Sequence, residues 1–241
     1  MKRLLTIVLA ALVLPGPVSG GTPVTVFAAA SLSEVFPRIT ASPRYNFAGS
    51  DQLALQIRQG APADVYAAAS PKYTQLLFRD GLVLKPVVFA TNKLILLVPK
   101  SNPAHISTVY DLRREGIKLV IGDRSVPIGT YTRQILDSLG ITADVTKNVV
   151  SQETDVKGIV TKVALGEADA GLVYRTDAKP VAARTRSIAL PDWSQPAIRY
   201  EIAVVKASAN LTAARAYVKQ VVSKRGRLVL AKSGFGLPKK K

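Results

Sequence analysis

Short runs of β-branched and aromatic residues alternate with helical patterns along almost the whole chain, and this alternation restricts the fold more than any other feature. The first extended run is Val24-Thr-Val-Phe27, a helical pattern follows up to Ile39, and the alternation continues to about residue 231. Strands that are separated by helices usually pair in parallel and are covered by those helices. The sequence therefore predicts an α/β fold with mainly parallel sheets.

Two longer extended runs interrupt the alternation. They are Phe89–Val98 and Tyr200–Val205, and the first of them is long enough to leave one sheet and enter another. We therefore predict two lobes joined by two crossings, with a discontinuous first lobe. Residues 21–89 together with 204–241 would form the first lobe, and residues 90–203 the second.

The N-terminus has the pattern of an export signal. Lys2 and Arg3 precede an apolar run that ends at Leu14, and small residues follow up to Gly20. A charged start, an apolar stretch too short to span a bilayer comfortably and a small-residue end are typical of a secretory signal peptide. We expect residues 1–20 to be a signal peptide that is cleaved near Gly20, and the mature protein to lie in the periplasm.

The composition is strongly basic, with 33 Lys and Arg against 16 Asp and Glu and a formal net charge of +17. Such a balance favours an anionic ligand, an acidic surface or a nucleic acid. The basic residues are spread along the chain, apart from the run 239–241, and no aromatic residues are interleaved with a basic motif as in nucleic-acid sites. We expect no nucleic-acid partner, and an exported basic polyanion-binding protein stays open as an alternative.

The sequence offers little for catalysis or for metal binding. Its only histidine, His105, lies in a predicted loop, and there is no cysteine. Glu167 and Asp169 could form an acid–base pair, but they lie in a polar turn where solvation explains them. No nucleotide-binding glycine motif is present. We therefore expect no enzyme, no cofactor and no metal cation, and a hydrolase is the least favoured reading.

Serine residues stand at the predicted starts of two helices, directly after strands. Ser31 follows the first strand, and Ser50 begins the helix predicted over residues 49–60. Backbone N–H groups in the first turn of a helix have no intrahelical partner and carry the positive end of the helix dipole, so they suit a bound anion. A serine at such a position also commonly caps its own helix, and the residues alone leave that alternative open.

Four motifs together resemble the periplasmic molybdate-binding proteins of ABC importers, and they follow that family's order across almost all of the mature chain. They are Phe27-Ala-Ala-Ala-Ser-Leu32, Gly60-Ala-Pro-Ala-Asp64, Gly122-Asp123 with Val126-Pro127-x-Gly129-x-Tyr131, and Ala170-Gly-Leu-Val-Tyr174. The resemblance implies a type II periplasmic binding protein with two α/β lobes and a hinge of two crossings. It also implies a monomer that passes molybdate, and tungstate, to a membrane permease with ATPase subunits.

The resemblance further implies which groups contact the ligand. They are the hydroxyl and backbone groups of Ser31 and Ser50, the backbone N–H groups of Ile128 and Val156, and the phenol of Tyr174. All are neutral donors, which suits a deprotonated oxyanion and penalises protonated phosphate, whose O–H would find no acceptor. Sulfate also only accepts hydrogen bonds, so cavity size would have to exclude it. A receptor for sulfate or another tetrahedral oxyanion therefore stays open.

Asp51 departs from the family pattern, in which this position is often small and neutral. A carboxylate that faced the ligand would repel it, whereas a carboxylate in the first turn of a helix suits the helix dipole. We therefore expect Asp51 to face solvent. Ile128 is also larger than the family's usual residue, but a backbone donor tolerates that change.

Overall fold

A computed structural model describes residues 22–238, so the predicted signal peptide lies outside the described residues. Within this range the chain forms two five-stranded sheets flanked by helices. The strands are β1 (Thr25–Ala29), β2 (Arg44–Ala48), β3 (Val65–Ala68), β4 (Val87–Asn92), β5 (Leu94–Pro99), β6 (Leu119–Gly122), β7 (Val149–Glu153), β8 (Ala170–Tyr174), β9 (Thr185–Ala189) and β10 (Ile198–Val204). The helices are α1 (Phe36–Ile39), α2 (Ser50–Arg58), α3 (Pro71–Arg79), α4 (Pro127–Ser138), α5 (Thr142–Thr146), α6 (Val156–Leu165), α7 (Arg175–Ala178), α8 (Leu211–Val222) and α9 (Lys224–Lys232).

The two sheets have the same mixed design. The first has the order β2-β1-β3-β10-β4, in which β1 is parallel to β2 and β3, while β10 is antiparallel to β3 and β4. The second has the order β7-β6-β8-β5-β9, in which β6 is parallel to β7 and β8, while β5 is antiparallel to β8 and β9. The predicted two-lobed α/β class is confirmed. The sheets are mixed rather than mainly parallel because β5 and β10 arrive from the opposite sheet and not through a covering helix.

Two connections join the sheets. Lys93 alone separates β4 from β5, and residues 190–197 join β9 to β10. The second connection precedes Tyr200, and the run 200–205 that was predicted as the crossing mostly belongs to β10, because it pairs with β3 and β4 of the first sheet. We call the first sheet with its helices the first lobe, and the second sheet with its helices the second lobe. We propose that the lobes meet at these two connections.

Local signals explain why several helices begin and end where they do. The Ser70 hydroxyl accepts from the Lys72 N–H at 3.3 Å at the start of α3, and Pro71 occupies the first helical position. Helix α6 ends at Gly166, whose φ of 75° is in the left-handed region that favours glycine.

All six residues of β5 are buried, as expected for a strand covered on both faces. Within the described range no helix is long and apolar enough to cross a membrane.

The parallel strands bring the starts of several helices to one edge of each sheet. In the first lobe Ala29, the last residue of β1, pairs with Ala48, the last residue of β2. In the second lobe Gly122, at the end of β6, pairs with Glu153, at the end of β7. Segments that leave neighbouring parallel strands at the same level lie side by side, and ligands of open α/β sheets bind beyond these carboxyl ends.

Candidate ligand-binding site

One cavity of about 230 Å³ lies between the lobes, and the structure brings all five sequence-predicted site residues to its wall. We call it the site cavity. Its lining includes Ser31, Ser50, Ile128, Val156 and Tyr174, together with Ala29, Ala30, Ala48, Gly49, Ala69, Val126, Pro127 and Asp155. The five predicted residues lie at or just beyond the ends of β1, β2, β6, β7 and β8. The site cavity therefore combines the carboxyl edges of both sheets.

Ser31 lies in a short 3₁₀ turn, Ala30–Leu32, that follows β1. Its side chain does not cap this turn, so the capping alternative does not hold for Ser31. The residue is buried, and its hydroxyl oxygen lies 3.0 Å from the hydroxyl of Tyr200. The side chain is thus held by a tertiary contact rather than by its own backbone.

Ser50 is the first residue of α2, and Gly49 occupies the cap position without a side-chain bond. The Ser50 hydroxyl oxygen accepts from the Ala69 N–H at 3.1 Å, and the Ser50 carbonyl accepts from the Tyr66 hydroxyl at 2.6 Å. Since the hydroxyl oxygen already accepts a hydrogen bond, its own proton remains available to a ligand. Ser50 does not cap α2 either.

Ile128 and Val156 contribute backbone groups from the first turns of α4 and α6. N–H groups at these positions have no carbonyl four residues earlier within the helix. Asp155 caps α6 by accepting from the N–H groups of Lys157 at 2.7 Å and Gly158 at 3.3 Å. These bonds leave the Val156 N–H as the first-turn donor beside the site cavity.

Tyr174 ends β8, and its side chain is 1% exposed. Its hydroxyl is buried, and no group within residues 22–238 meets it at hydrogen-bond distance and angle; the phenol of Tyr200 is a polar neighbour but lacks that geometry. Burial raises the pKa of the Tyr174 phenol well above its ordinary value, so the group stays protonated and can donate. Leaving a buried hydroxyl unpaired costs about 1–3 kcal/mol. An unpaired donor on the wall of a cavity therefore indicates a ligand that accepts hydrogen bonds.

Contacts across the mouth of the cleft hold the lobes together. The Ser125 hydroxyl, from the second lobe, lies 2.9 Å from Asp51 Oδ2 and 2.8 Å from Asp123 Oδ1. The Tyr73 hydroxyl of α3 donates to the Ser125 carbonyl. We call Asp51, Tyr73 and Ser125 the cleft clasp. Burial, with the two nearby carboxylates, raises the pKa of Tyr73 to about 12, so its hydroxyl remains a donor.

The expectation that Asp51 faces solvent is met only in part, because the residue is half-buried. Its Oδ1 is buried without a hydrogen-bond partner among residues 22–238, and its Oδ2 faces Ser125 of the opposite lobe. The first turn of α2 would expose this carboxylate in an isolated lobe, but the second lobe packs over it. Asp51 is also absent from the lining of the site cavity, so its side chain does not face the space where a ligand would bind.

Gly49 is where the two lobes approach most closely beside the site cavity. A Cβ atom at this position would lie 2.6 Å from the Thr154 carbonyl oxygen and 3.3 Å from a methyl group of Val126, both in the second lobe. These separations are far below van der Waals contact. Glycine therefore permits the backbones of the two lobes to meet here.

A second cavity of about 630 Å³ also lies between the lobes, and Ser31 lines it as well. We call it the charged cavity, because its lining includes Glu34, Arg38, Asp177 and Lys179. The Lys157 ammonium lies 3.1 Å from Asp177 Oδ1 and 3.9 Å from Glu34. Burial raises the pKa of Asp177 to about 6, although Lys157 opposes this effect. The acidic groups of this cavity thus have a basic neighbour within the protein.

The sequence analysis missed two residues beside the site. Tyr200 forms a hydrogen bond with Ser31, and Asn92 forms one with Tyr200. No local sequence pattern predicts these contacts, because Tyr200 lies 169 positions from Ser31 in the chain. Asp155 could have been found, since an Asp directly before a helical pattern is a common cap. Across residues 22–238 no group of three His, Cys, Asp or Glu side chains is placed to hold a metal ion.

Comparisons with known proteins agree with this geometry. A family model described as bacterial extracellular solute-binding protein matches residues 24–236. The molybdate-binding protein ModA of Mycobacterium tuberculosis is 39% identical over 233 residues, which cover 92% of this chain and 88% of that protein. The structure of the periplasmic molybdate-binding protein of Azotobacter vinelandii matches 90% of this chain and 100% of its own at 20% identity, with a TM-score of 0.81. The sulfate-binding protein SubI of M. tuberculosis matches 89% of this chain and 86% of its own at 18% identity, with a TM-score of 0.78.

Proposed function

Because this chain belongs to the family of bacterial extracellular solute-binding proteins, which are not enzymes, we propose that it binds molybdate in the site cavity. Tungstate, which has the same charge and shape, would bind in the same way. The ligand would be held by neutral donors from both lobes: the hydroxyls of Ser31 and Ser50, the backbone N–H groups of Ile128 and Val156, and the phenol of Tyr174. Molybdate is then a transported ligand and not a cofactor.

The buried hydroxyl of Tyr174 is the observation that carries this proposal. It is a protonated donor on the wall of the site cavity, and it has no partner among residues 22–238. A ligand oxygen would satisfy it and remove the cost of leaving it unpaired. The Ser50 proton is likewise free, because the Ser50 oxygen is already an acceptor. A deprotonated tetrahedral oxyanion supplies only acceptors, and so it matches this set of groups.

Molybdate is favoured over the other oxyanions for two separate reasons. Phosphate keeps a proton near neutral pH, and a site made of donors gives that proton no acceptor. Sulfate carries no proton, so only the size of the cavity can discriminate against it. Sulfate is therefore the second candidate, and the experiment below includes it.

The position of the site suggests how the protein serves transport. The lobes would open and close about Lys93 and residues 190–197, and the cleft clasp would form on closure. The closed, loaded monomer would then dock on a membrane permease that is powered by ATPase subunits. Cleavage of the predicted signal peptide near Gly20 would place the mature protein in the periplasm.

A thermal-shift and calorimetric panel of molybdate, tungstate, sulfate, phosphate and chromate tests the proposal. At about a hundred times its dissociation constant, a ligand that binds only the native state stabilises it by about 2.7 kcal/mol. We expect molybdate and tungstate to raise the melting temperature and phosphate to leave it unchanged. A shift with sulfate alone would establish the second candidate, and no shift with molybdate or tungstate would refute the proposal.

Salt dependence separates this site from a polyanion-binding surface. A surface that neutralises many phosphates or sulfates loses affinity steeply as salt rises. A buried site of neutral donors displaces no comparable set of counterions, so molybdate affinity should change little between low and moderate sodium chloride. Steep weakening, together with binding of heparin or polyphosphate, would instead support the polyanion-binding alternative.

A further inference from the structure

A chain of buried polar groups leads from the first connection between the lobes to the site cavity. The Asn92 side-chain nitrogen lies 3.5 Å from the Tyr200 hydroxyl, which lies 3.0 Å from the Ser31 hydroxyl. The same nitrogen donates to the Thr176 hydroxyl of the second lobe at 3.0 Å. Neither Asn92 nor Tyr200 lines the site cavity, so neither would touch a ligand there.

The direction of this chain begins with the amide of Asn92. Its oxygen accepts from the Lys93 N–H at 2.9 Å, which fixes the other end of the amide as the nitrogen. An amide nitrogen can only donate, so the Tyr200 oxygen is the acceptor of the contact between these two residues. One proton of the Asn92 amide thus points to Thr176 and the other to Tyr200.

The Tyr200 hydroxyl has one proton of its own, and its position is restricted. The ring packs against Phe89, Tyr174 and Phe235, with centroid separations of 6.1, 5.8 and 5.4 Å. The hydroxyl is fully buried, and among residues 22–238 Ser31 Oγ, at 3.0 Å, is the acceptor with which it forms a hydrogen bond of good geometry; the neighbouring Tyr174 phenol forms no such bond. If Ser31 donated to Tyr200 instead, the Tyr200 proton would be left unpaired at a cost of about 1–3 kcal/mol.

We propose that Tyr200, supported by Asn92, is a positioning residue that leaves the Ser31 proton free to be donated to the ligand. The proposal rests on the proposed function, because it assigns a direction to one of the groups that would hold the oxyanion. Because Tyr200 donates to the Ser31 oxygen, the Ser31 proton is not used in this contact and remains available in the site cavity. The Ala69 N–H donates to the Ser50 oxygen and leaves the Ser50 proton available in the same way.

Titration of Tyr200→Phe with molybdate tests the direction of the chain. We expect molybdate to bind about tenfold more weakly, or about 1.4 kcal/mol, because Ser31 is no longer oriented. Tyr217→Phe is the matched control, since its buried hydroxyl contacts Tyr45 away from the site at 3.4 Å. Unchanged molybdate affinity in Tyr200→Phe, or an equal loss of affinity in the control, would overturn the proposal.

A double-mutant cycle with Ser31→Ala shows whether Tyr200 acts through Ser31. In the Ser31→Ala background, Tyr200→Phe should change molybdate affinity by less than about twofold, because residues that act through one contact are not additive. A tenfold effect that persists without the serine hydroxyl would overturn the proposal.

The same cycle on the unfolding of the ligand-free protein keeps this inference separate from the proposed function. The Ser31–Tyr200 hydrogen bond exists without a ligand, so the two substitutions should be coupled by about fivefold in the unfolding equilibrium constant. Absence of coupling would overturn the inference whatever the wild-type protein binds. Coupling in a wild-type protein that binds no oxyanion would refute the proposed function alone.

Discussion

The two cavities between the lobes share Ser31 but differ in the chemistry of their walls. The site cavity presents hydroxyl, phenol and backbone N–H groups, and its Tyr174 hydroxyl has no partner among residues 22–238. The charged cavity presents Glu34, Arg38, Asp177 and Lys179, and its acidic groups lie near Lys157. Formal charges are thus kept where the protein itself can pair them. On the proposed function, the basic composition would attract anions to the surface, while neutral dipoles would recognise the ligand.

The first prediction concerns Asp177 in the charged cavity. This carboxyl group should make the free energy of unfolding depend on pH, and this is the largest effect that we expect. The pKa of Asp177 is raised from 3.8 to about 6, so the native state binds more protons than the unfolded state between these pH values. The free energy of unfolding should therefore fall as pH rises from about 4 to about 6, by up to about 3 kcal/mol. Asp177→Asn should remove this part of the slope in denaturant titrations.

Glu167→Gln is the control for this prediction, because Glu167 lies on an exposed turn away from both cavities. It should leave the slope unchanged. Molybdate affinity near neutral pH should change little in Asp177→Asn, since this carboxylate does not line the site cavity. An unchanged pH slope in Asp177→Asn would show that Asp177 does not cause the pH dependence of unfolding.

In the site cavity, Tyr174→Phe should change ligand affinity and leave stability almost unchanged, the reverse of Asp177→Asn. The substitution removes a hydroxyl that has no partner within the described chain, so the ligand-free protein should be as stable as the wild type or slightly more stable. Molybdate binding should weaken by about 1–3 kcal/mol, the range for a hydrogen bond to a charged partner. Calorimetry gives the affinity and chemical denaturation gives the stability.

Ser31→Ala should weaken molybdate binding within the same range of about 1–3 kcal/mol, but it also removes the partner of Tyr200 and so lowers stability. Loss of stability should therefore accompany Ser31→Ala, whose hydroxyl is paired, and not Tyr174→Phe, whose hydroxyl has no partner within the described chain. Unchanged affinity in both would show that the ligand binds elsewhere. A marked loss of stability in Tyr174→Phe would show that its hydroxyl is satisfied inside the protein.

Gly49→Ala should have a smaller effect, because it crowds the contact between the lobes and leaves the groups that line both cavities in place. Its methyl group would lie 2.6 Å from the Thr154 carbonyl oxygen in the closed form and 2.7 Å from Asp51 Oδ1, a side-chain atom that can move away. We expect about tenfold weaker molybdate binding, at the low end of the 1–3 kcal/mol cost of overpacking, with the unfolding of the ligand-free protein nearly unchanged.

Gly60→Ala is the matched control for this glycine. Its φ of 87° lies in the left-handed region, and no atom would crowd the added Cβ. It should lower stability by about 1 kcal/mol through backbone strain and leave affinity unchanged. If Gly49→Ala behaved in the same way as this control, close approach of the lobes would not contribute to binding.

Local signals predicted much of the fold. Helices α3 and α6 begin and end at residues with recognisable local signals, because Ser70 and Asp155 cap their starts and Gly166 ends the second of them. The helix predicted over 32–39 is instead a 3₁₀ turn followed by the four-residue α1, in which Pro37 lies in the first turn. A proline lacks an N–H donor, so it suits the first turn of a new helix better than the interior of a longer one.

The sequence shows which residues follow strands and begin helices, but it does not show the contacts that these residues make with the other lobe. Ser50 and Val156 follow strands and open helices, and this pattern can be read locally. The environment of Asp51 could not be read in this way, because Ser125 reaches it from the other lobe. The same holds for the contact between Ser31 and Tyr200, since contacts made by the meeting of two lobes leave no periodic trace in either segment.

The first connection between the lobes is short, and this bears on the stage of lobe closure at which oxyanions are discriminated. Lys93 alone separates the two sheets, and the Asn92 amide beside it bonds to Thr176 of the other lobe. A rotation that parts the lobes at Lys93 would stretch that bond and loosen the hold on Tyr200. Groups of both lobes line the site cavity, so we expect the parted molecule to bind oxyanions with little discrimination and to reject protonated ones only as the cleft shuts.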